Sequence, residues 1–150
     1  MYSVLVVLWQ IVIFCFSAQN ADMSSNLSGG LTQKILRFLF TSLSDAKILE
    51  LSDQLSFAVR KSAHFIIYFI LGILMCLAVS KSKKFADKIL SVKVKYSFLF
   101  CVLYAITDEI HQFFVPGRSM RLFDVFVDST GSICGILIIF LILKKFKGKK

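Results

Sequence analysis

The chain has 150 residues, of which 57% are apolar, and it contains 16 Phe but a single Pro. An apolar fraction this high, arranged in long blocks, argues against a water-soluble domain and is typical of membrane helices. The net charge of +9 would suit a nucleic-acid-binding protein, but the lysines lie in short stretches beside the apolar blocks, as they do in membrane proteins. We therefore expect no nucleic-acid partner.

Four apolar blocks are each long enough to cross a hydrocarbon layer of about 30 Å as a helix. They predict an all-α membrane protein with one domain, 1–150. A signal peptide is the alternative for the first block, which is short and contains Gln10. That block lacks a basic start and a small-x-small cleavage site, so an uncleaved helix is favoured. The four transmembrane helices are expected at about 1–18, 63–79, 96–114 and 122–143.

The long connection 19–62 begins with polar residues and continues with apolar residues at helical spacing. Its first apolar series runs through Leu31 and Ile35, and its second through Ile48, Leu51 and Leu55. Such spacing predicts one or two amphipathic helices between the first two transmembrane helices, lying on the membrane or against the bundle.

The basic residues predict the orientation of the chain. The connection 80–95 carries six lysines against Asp87 alone, and the tail from Lys144 carries five lysines and no acid. Short loops rich in Lys and Arg stay in the cytoplasm, so we expect both termini there. The lysines are interpreted as topogenic groups that attract anionic lipid. The connection 19–62 and the turn 115–121 would then face outward.

Under that topology, polar and ionisable side chains gather near the outer ends of three helices. On the second helix, Lys61, His64 and Tyr68 share one face at i, i+3 and i+7. Further polar and ionisable residues lie at the end of the third helix, at the start of the fourth and in the turn between these two helices. Ionisable residues inside membrane helices are costly and usually mark a functional site. The candidate ligand-binding residues are Lys61, His64, Tyr68, Asp108, Glu109, His111, Gln112, Arg118, Asp124 and Asp128.

Several interpretations of this cluster stay open. It could be an ion-pair network that clamps the bundle, for example between Lys61 and Asp108 or between Arg118 and an aspartate of the fourth helix. A metal site is disfavoured by the nearby bases, and neither metal nor cofactor is expected. Arginine suits a phosphate or carboxylate, as on a lipid headgroup or cell-wall precursor. The candidates for proton transfer are His64, Asp108, Glu109 and His111.

Two glycines and four cysteines also lie within the apolar blocks. Gly131 and Gly135 form a GxxxG pair on the stripe that also carries Asp124 and Asp128. This spacing lets another helix approach closely and could support a homo-oligomer. The four cysteines have no metal-site spacing and are interpreted as small apolar residues between helices.

The chain resembles the VanZ-like family, named for a protein linked to glycopeptide resistance, chiefly to teicoplanin. Two departures from the family pattern are Ile67, where many relatives carry Glu, and Asp128, where many carry Asn. The resemblance spans nearly the whole chain. It rests on Phe16-Ser17-Ala18-Gln19, Lys61-x-x-His64 with Tyr68 and Leu71-Gly72, Asp108-Glu109-x-His111-Gln112-x-Phe114-x-Pro116-Gly117-Arg118, and Asp124-x-x-x-Asp128-x-x-Gly131-x-x-x-Gly135.

The resemblance implies a multi-pass protein of the bacterial cell membrane. We expect it to bind a cell-envelope component, a membrane lipid headgroup or a glycopeptide at the outer leaflet and so alter glycopeptide susceptibility. One alternative is an enzyme acting on a lipid-linked or headgroup substrate, with His64 or His111 as general base and Arg118 holding the anion. Another is a structural subunit of a membrane complex.

Overall fold

In the computed structural model, which describes residues 1–147 and the side chains of residues 1–145, the regular elements are all helical. The all-α prediction is confirmed for that part of the chain. Of the tail lysines used to predict orientation, Lys149 and Lys150 lie outside the described residues. The elements are α1 (Tyr2–Ser17), α2 (Ala21–Leu39), α3 (Asp45–Lys81), a 3-10 turn (Lys83–Phe85), α4 (Leu90–Phe113) and α5 (Leu122–Lys147).

Three of these helices, α3, α4 and α5, are each long and apolar enough to cross a membrane. Helix α1 has 16 residues and is about 24 Å long, which is short for a hydrocarbon layer of about 30 Å. It is followed by α2 after a bend of 102°. The described residues therefore provide three spans, or four if the bent pair is counted as one.

Helix α2 is the predicted amphipathic segment. It begins where the side chain of Asn20 accepts a hydrogen bond of 2.8 Å from the backbone N–H of Met23, as an N-cap residue does. Its buried residues, Ser28, Thr32 and Leu36, recur every four positions, and this face packs on the first half of α3. An adjacent face, which carries Met23, Leu27, Leu31 and Ile35, is apolar and exposed.

Helix α3 is a single helix of 37 residues, about 55 Å long. The second amphipathic series, from Ile48 to Leu55, forms its first half rather than a separate helix. The reason lies in the sequence, because no Gly or Pro occurs between Asp45 and Leu71 to interrupt the helix. One continuous helix therefore joins α2 to the membrane bundle.

The other helices surround α3. The indole N–H of Trp9 in α1 donates to the Ile67 carbonyl at 2.9 Å, and the Tyr104 hydroxyl of α4 donates to the Gln10 carbonyl at 2.7 Å. Cys76 and Cys101 are buried in the shared core and Cys134 is partly buried, in agreement with the predicted packing between helices, whereas Cys15 is exposed and departs from it. Core residues from four helices include Ile13, Tyr68, Leu71, Cys76, Cys101, Ala105 and Ile136.

The contact between α3 and α5 depends on glycine. A Cβ atom added at Gly131 would lie 3.1 Å from the Phe65 carbonyl carbon, and one at Gly135 would lie 3.1 Å from the Ile73 nitrogen. Such separations leave no room for a side chain. The close approach that the GxxxG spacing predicts is therefore made within the chain, and that glycine face is already covered by α3.

Candidate functional site

The polar residues gather at one end of the bundle, where α1 and α4 end and α5 begins; we name it the site end. Here the Ser17 hydroxyl of α1 donates to the Asp108 carboxylate of α4 at 2.9 Å. The loop 114–121 joins α4 to α5 across this end, and its Pro116 carbonyl accepts a bond of 3.3 Å from the Ala21 N–H of α2. Four helices are thus tied together around the predicted cluster.

The loop 114–121 turns at Gly117, whose φ of 74° lies in the left-handed region. Glycine adopts that conformation without steric cost. A Cβ atom here would also lie 3.0 Å from the Ala21 Cβ, so the turn and its contact with α2 both require glycine. This turn directs the next residue, Arg118, toward the centre of the site end.

A chain of hydrogen bonds holds Arg118 in place. Its guanidinium donates to the Gln112 side-chain oxygen at 2.7 Å, and the Gln112 amide nitrogen donates to Asp108 at 3.2 Å. Since Asp108 also accepts from Ser17, this buried carboxylate orients Gln112, and Gln112 orients Arg118. Asp108 itself lines neither of the cavities described below.

Arg118 and Arg60 form a pair of guanidinium groups without acidic partners. Burial lowers the pKa of Arg118 from its ordinary value, and the positive charge of Arg60 lowers this pKa further. Arg60 donates to the Ser25 hydroxyl at 2.8 Å, while its buried Nε has no partner among the described residues. Within residues 1–147, no carboxylate oxygen lies within 4.0 Å of either guanidinium. The more distant charges of Asp108, Glu109 and Asp124 act in the opposite direction on the pKa of Arg118, but none of these carboxylates pairs directly with either arginine.

Two cavities meet at the site end. The larger one, which we name the apolar cavity, has a volume of about 550 Å³ and lies between α2 and α3. The smaller one, the polar cavity, has a volume of about 100 Å³. Arg60, His64 and Arg118 line both, and we name these three residues the shared wall. The apolar cavity is otherwise lined by the apolar residues Phe16, Leu27, Leu31, Val59, Ala63 and Ile67, by Gly30, and by the polar residues Gln19, Ser24, Asn26, Ser28 and Lys34. The polar cavity is otherwise lined mainly by Lys61, Gln112, Ser119, Arg121 and Asp124.

His64 is backed by a buried carboxylate. Its Nδ1 lies 3.4 Å from Asp128 Oδ1, and Asp128 is fully buried between the helices. Neither carboxylate oxygen of Asp128 has a hydrogen-bonding partner among the described residues. A carboxylate in this position restrains the orientation of the imidazole ring. His64 therefore faces both cavities from a restrained position.

One ion pair in the site connects two helices. Lys61 of α3 pairs with Asp124 of α5, and both side chains are largely buried. The clamp interpretation expected Lys61 to pair with Asp108, but Asp108 is occupied by Ser17 and Gln112. A clamp between α3 and α5 is therefore present through Lys61 and Asp124, and the contact between His64 and Asp128, which the clamp interpretation also allows, joins the same two helices.

Besides Asp108 and Asp128, three predicted site residues lie apart from the cavities. The Tyr68 hydroxyl and one oxygen of Glu109 are buried without a partner among the described residues, while the other Glu109 oxygen accepts from the Arg121 N–H at 2.9 Å. The His111 ring packs against Phe14, with 4.4 Å between ring centroids. Of the ten predicted residues, those that line a cavity are Lys61, His64, Gln112, Arg118 and Asp124, and those that lie outside both are Tyr68, Asp108, Glu109, His111 and Asp128.

Sequence reasoning assigned no site role to Arg60 or Ser17. Arg60 stands four residues before His64, so helical spacing alone places the two on one face of α3. Ser17 belongs to the motif shared with the VanZ-like family, but its hydrogen bond to Asp108 depends on packing between α1 and α4. A contact between two helices that are far apart in the sequence cannot be predicted from the residues around either one.

The chemistry of the site favours an anion over a cation. Among residues 1–147, no three His, Cys, Asp or Glu side chains are grouped so as to hold a metal ion. The groups that face the two cavities are mostly basic, and arginine and lysine hold phosphate or carboxylate by charge-assisted hydrogen bonds. Of the buried carboxylates, Asp108, Glu109 and Asp128 line neither cavity, and Asp124 lines the polar cavity.

The bundle and its polar end define a small, multi-pass helical membrane protein. A family model described as VanZ/LLP1 matches residues 2–143, which is nearly the whole chain. The chain belongs to the VanZ/LLP1 family, and the predicted resemblance is confirmed. An association with antibiotic resistance fits the family name. Comparisons with curated proteins and with solved structures found no match.

Proposed function

We propose that this protein binds an anionic component of the cell envelope at its site end and thereby alters susceptibility to glycopeptide antibiotics. The observation that carries the proposal is the pair Arg60 and Arg118, which face both cavities without a carboxylate within 4.0 Å. Holding two such charges in a partly buried site is unfavourable unless an anion joins them.

The arrangement also has the features of a preformed site. Gln112 and Asp108 hold Arg118 in position, so little side-chain freedom is lost when a ligand binds. A volume of about 550 Å³ is within the range of ligand pockets, roughly 300–1,000 Å³. These properties support binding rather than a purely structural role for the cluster.

A paired measurement of abundance and susceptibility tests this proposal. We expect Arg118→Ala and His64→Ala to reach wild-type abundance in the membrane fraction of a bacterial host but to lose the effect on teicoplanin susceptibility. Arg37→Ala is the matched control, because Arg37 lines neither cavity and pairs with Asp45 in an exposed position. It should retain both abundance and effect.

The same experiment separates binding from clamping. Gly131→Leu should lose both abundance and effect, because a side chain there meets the α3 backbone. If the charged cluster only clamps the bundle, Arg118→Ala and His64→Ala would lose abundance in proportion to effect. Full effect retained by both variants would contradict the proposed function.

A second candidate function is enzymatic, and the contact between His64 and Asp128 favours it. A histidine oriented by a buried carboxylate and facing a cavity is the usual arrangement of a general base. His64 rather than His111 would take this role, since only His64 lines the cavities. Ser119 lines the polar cavity, but no recognised nucleophile motif surrounds it.

The binding and enzymatic functions differ in what happens to the bound molecule. An enzyme acting on an alkyl phosphate would release inorganic phosphate during incubation, and His64→Gln would abolish that release. A binding protein would return the alkyl phosphate unchanged. Phosphate release at the same rate from His64→Gln would contradict a general-base role for His64.

The proposed orientation places both termini in the cytoplasm and the site end at the outer leaflet of the cell membrane. It follows from the lysines of 80–95 and of the tail. A single cysteine introduced at Lys88 in a variant without native cysteines should resist a membrane-impermeant thiol reagent in intact cells, whereas one at Ser119 should react. Labelling at Lys88 in intact cells would contradict this orientation.

A further inference from the structure

We infer that the bound component is a phosphate-bearing lipid whose phosphate lies in the polar cavity and whose chain lies in the apolar cavity. This inference rests on the proposed function and specifies its ligand. The shared wall of Arg60, His64 and Arg118 is the feature that connects the two parts. A ligand that contacts this wall would place a charged group in the polar cavity and could place an apolar group in the apolar cavity.

The polar cavity sets the size and charge of the headgroup. Its volume of about 100 Å³ corresponds to about three water molecules at roughly 30 Å³ each, which is enough room for a phosphate. Basic groups from α3 and from the loop 114–121 surround it. Lys61 is paired with Asp124, which leaves Arg60 and Arg118 of the shared wall, together with Arg121, to hold the anion.

The apolar cavity sets the character of the rest of the ligand. Phe16, Val59, Ala63 and Ile67 provide an apolar lining at the depth of His64. The polar residues of this cavity, Gln19, Ser24, Asn26, Ser28 and Lys34, lie in α2 or next to its N-cap. The four apolar groups are suited to a hydrocarbon chain, whose burial is worth about 0.8 kcal/mol for each CH₂ group.

The mouth of the apolar cavity also faces lipid rather than water. Leu27 and Leu31 of α2 line the cavity and remain 54% and 50% exposed on the outer surface. They continue an exposed apolar row with Met23 and Ile35, three or four residues apart on one helical face. In a membrane-spanning chain such a row contacts acyl chains. A lipid could therefore enter sideways while its chain stays in apolar surroundings.

Competition binding distinguishes a lipid phosphate from free phosphate. The purified protein in uncharged alkyl-glycoside micelles is bound to radiolabelled dodecyl phosphate, and unlabelled dodecyl phosphate, inorganic phosphate, dodecanol and teicoplanin compete with it. We expect saturable binding that only unlabelled dodecyl phosphate displaces in its own concentration range. Arg118→Ala should weaken this binding at least about tenfold, as expected for the loss of a hydrogen bond to a charged group.

A matched pair of variants tests whether the hydrocarbon chain of the ligand lies in the apolar cavity. Ala63→Phe fills the apolar cavity, whereas Ala58→Phe adds the same ring at an exposed position of α3 that lines neither cavity. Only Ala63→Phe should weaken dodecyl phosphate binding, by about tenfold or more, which corresponds to about 1.4 kcal/mol. The competition experiment on the wild-type protein is informative even if Ala63→Phe fails to fold.

Each contrary outcome has a distinct meaning. If inorganic phosphate competes as well as dodecyl phosphate and Ala63→Phe has no effect, the lipid assignment is overturned while an anion site remains. If teicoplanin competes better than dodecyl phosphate, the ligand is the glycopeptide and the lipid assignment is again overturned. If dodecanol competes equally, or if no saturable binding occurs, both the lipid assignment and the proposed anion site are contradicted.

Discussion

The two sides of α3 are built in opposite ways. On the side that faces α5, glycines bring the two backbones so close that an added Cβ atom at Gly72 would lie 2.9 Å from the Ser132 Cα. On the side that faces α2, the same helix borders a cavity of about 550 Å³. The first side resembles a closed protein core, in which voids are few, and the second leaves open volume.

This difference indicates where stability and function reside. Open volume beside a packed helix forfeits dispersion contacts, so it is retained where a ligand can fill it. The side facing α5 holds the bundle together and sets the depth of the site residues. Substitutions on the two sides should therefore differ in kind, with loss of stability on one and loss of binding on the other.

The largest expected effect is on the α5 side, at the ion pair between Lys61 and Asp124. Asp124→Ala would leave the largely buried Lys61 ammonium without its partner, and breaking such a pair costs about 3–5 kcal/mol. Unfolding titrated with SDS in mixed micelles measures this free energy. The double variant Lys61→Met/Asp124→Leu should recover much of the loss. A loss below about 1 kcal/mol for Asp124→Ala would contradict the clamp between α3 and α5.

A smaller effect is expected when glycine is replaced by alanine in the two helices that flank α3, once in α5 and once in α2. Gly135→Ala would push a methyl group against the Phe69 carbonyl of α3, and overpacking of this kind costs about 1–3 kcal/mol. Gly30→Ala meets nothing within 4 Å and should stabilise α2 by up to about 1 kcal/mol through helix propensity. Thermal unfolding of the two proteins should shift in opposite directions. Shifts of the same sign would remove the distinction between the two sides.

On the cavity side, a charge should affect binding more than stability. Ile67→Glu places a carboxylate in the wall of the apolar cavity, where it repels an anion and opposes a hydrocarbon chain. We expect dodecyl phosphate binding to weaken by more than about tenfold, or 1.4 kcal/mol. Ile67→Gln, with the same shape and no charge, should weaken it less. Equal losses for Glu and Gln would show that charge at this position is irrelevant.

The smallest expected effect lies away from both sides, at the exposed pair Arg37 and Asp45. Their side chains are 54% and 83% exposed, and exposed ion pairs contribute about 0–1 kcal/mol. Arg37→Ala should therefore change the unfolding free energy by less than about 1 kcal/mol in the same SDS titration. A loss comparable with that of Asp124→Ala would mean that burial does not distinguish these two pairs.

The sequence predicted the helices and the common depth of the cluster, because apolar blocks and helical spacing are local properties. It also indicated His64 and Arg118 as members of one site. The extension of α3 back to Asp45 was not predicted, since the change from amphipathic to fully apolar sequence resembles a boundary between two helices.

The grouping inside the site depended on packing that no local pattern encodes. Helical spacing placed His111 with Asp108 on one face of the third helix, but α1 covers His111 with Phe14. Arg60 is close to His64 in the sequence, but its place in the site depends on the packing of α2 and the loop 114–121 against α3, which forms the two cavities that Arg60 lines. The bend of 102° between α1 and α2 occurs at a segment without glycine or proline, so the sequence does not predict it.

The central claim is that the shared wall binds the phosphate of a lipid. An experimental structure of the protein purified with the lipids of its own membrane tests it most directly. The account predicts density for a phosphate group within hydrogen-bonding distance of both Arg60 and Arg118, continuous with a chain in the apolar cavity. A structure in which Arg118 pairs with a carboxylate of the protein and side chains fill the apolar cavity would contradict it.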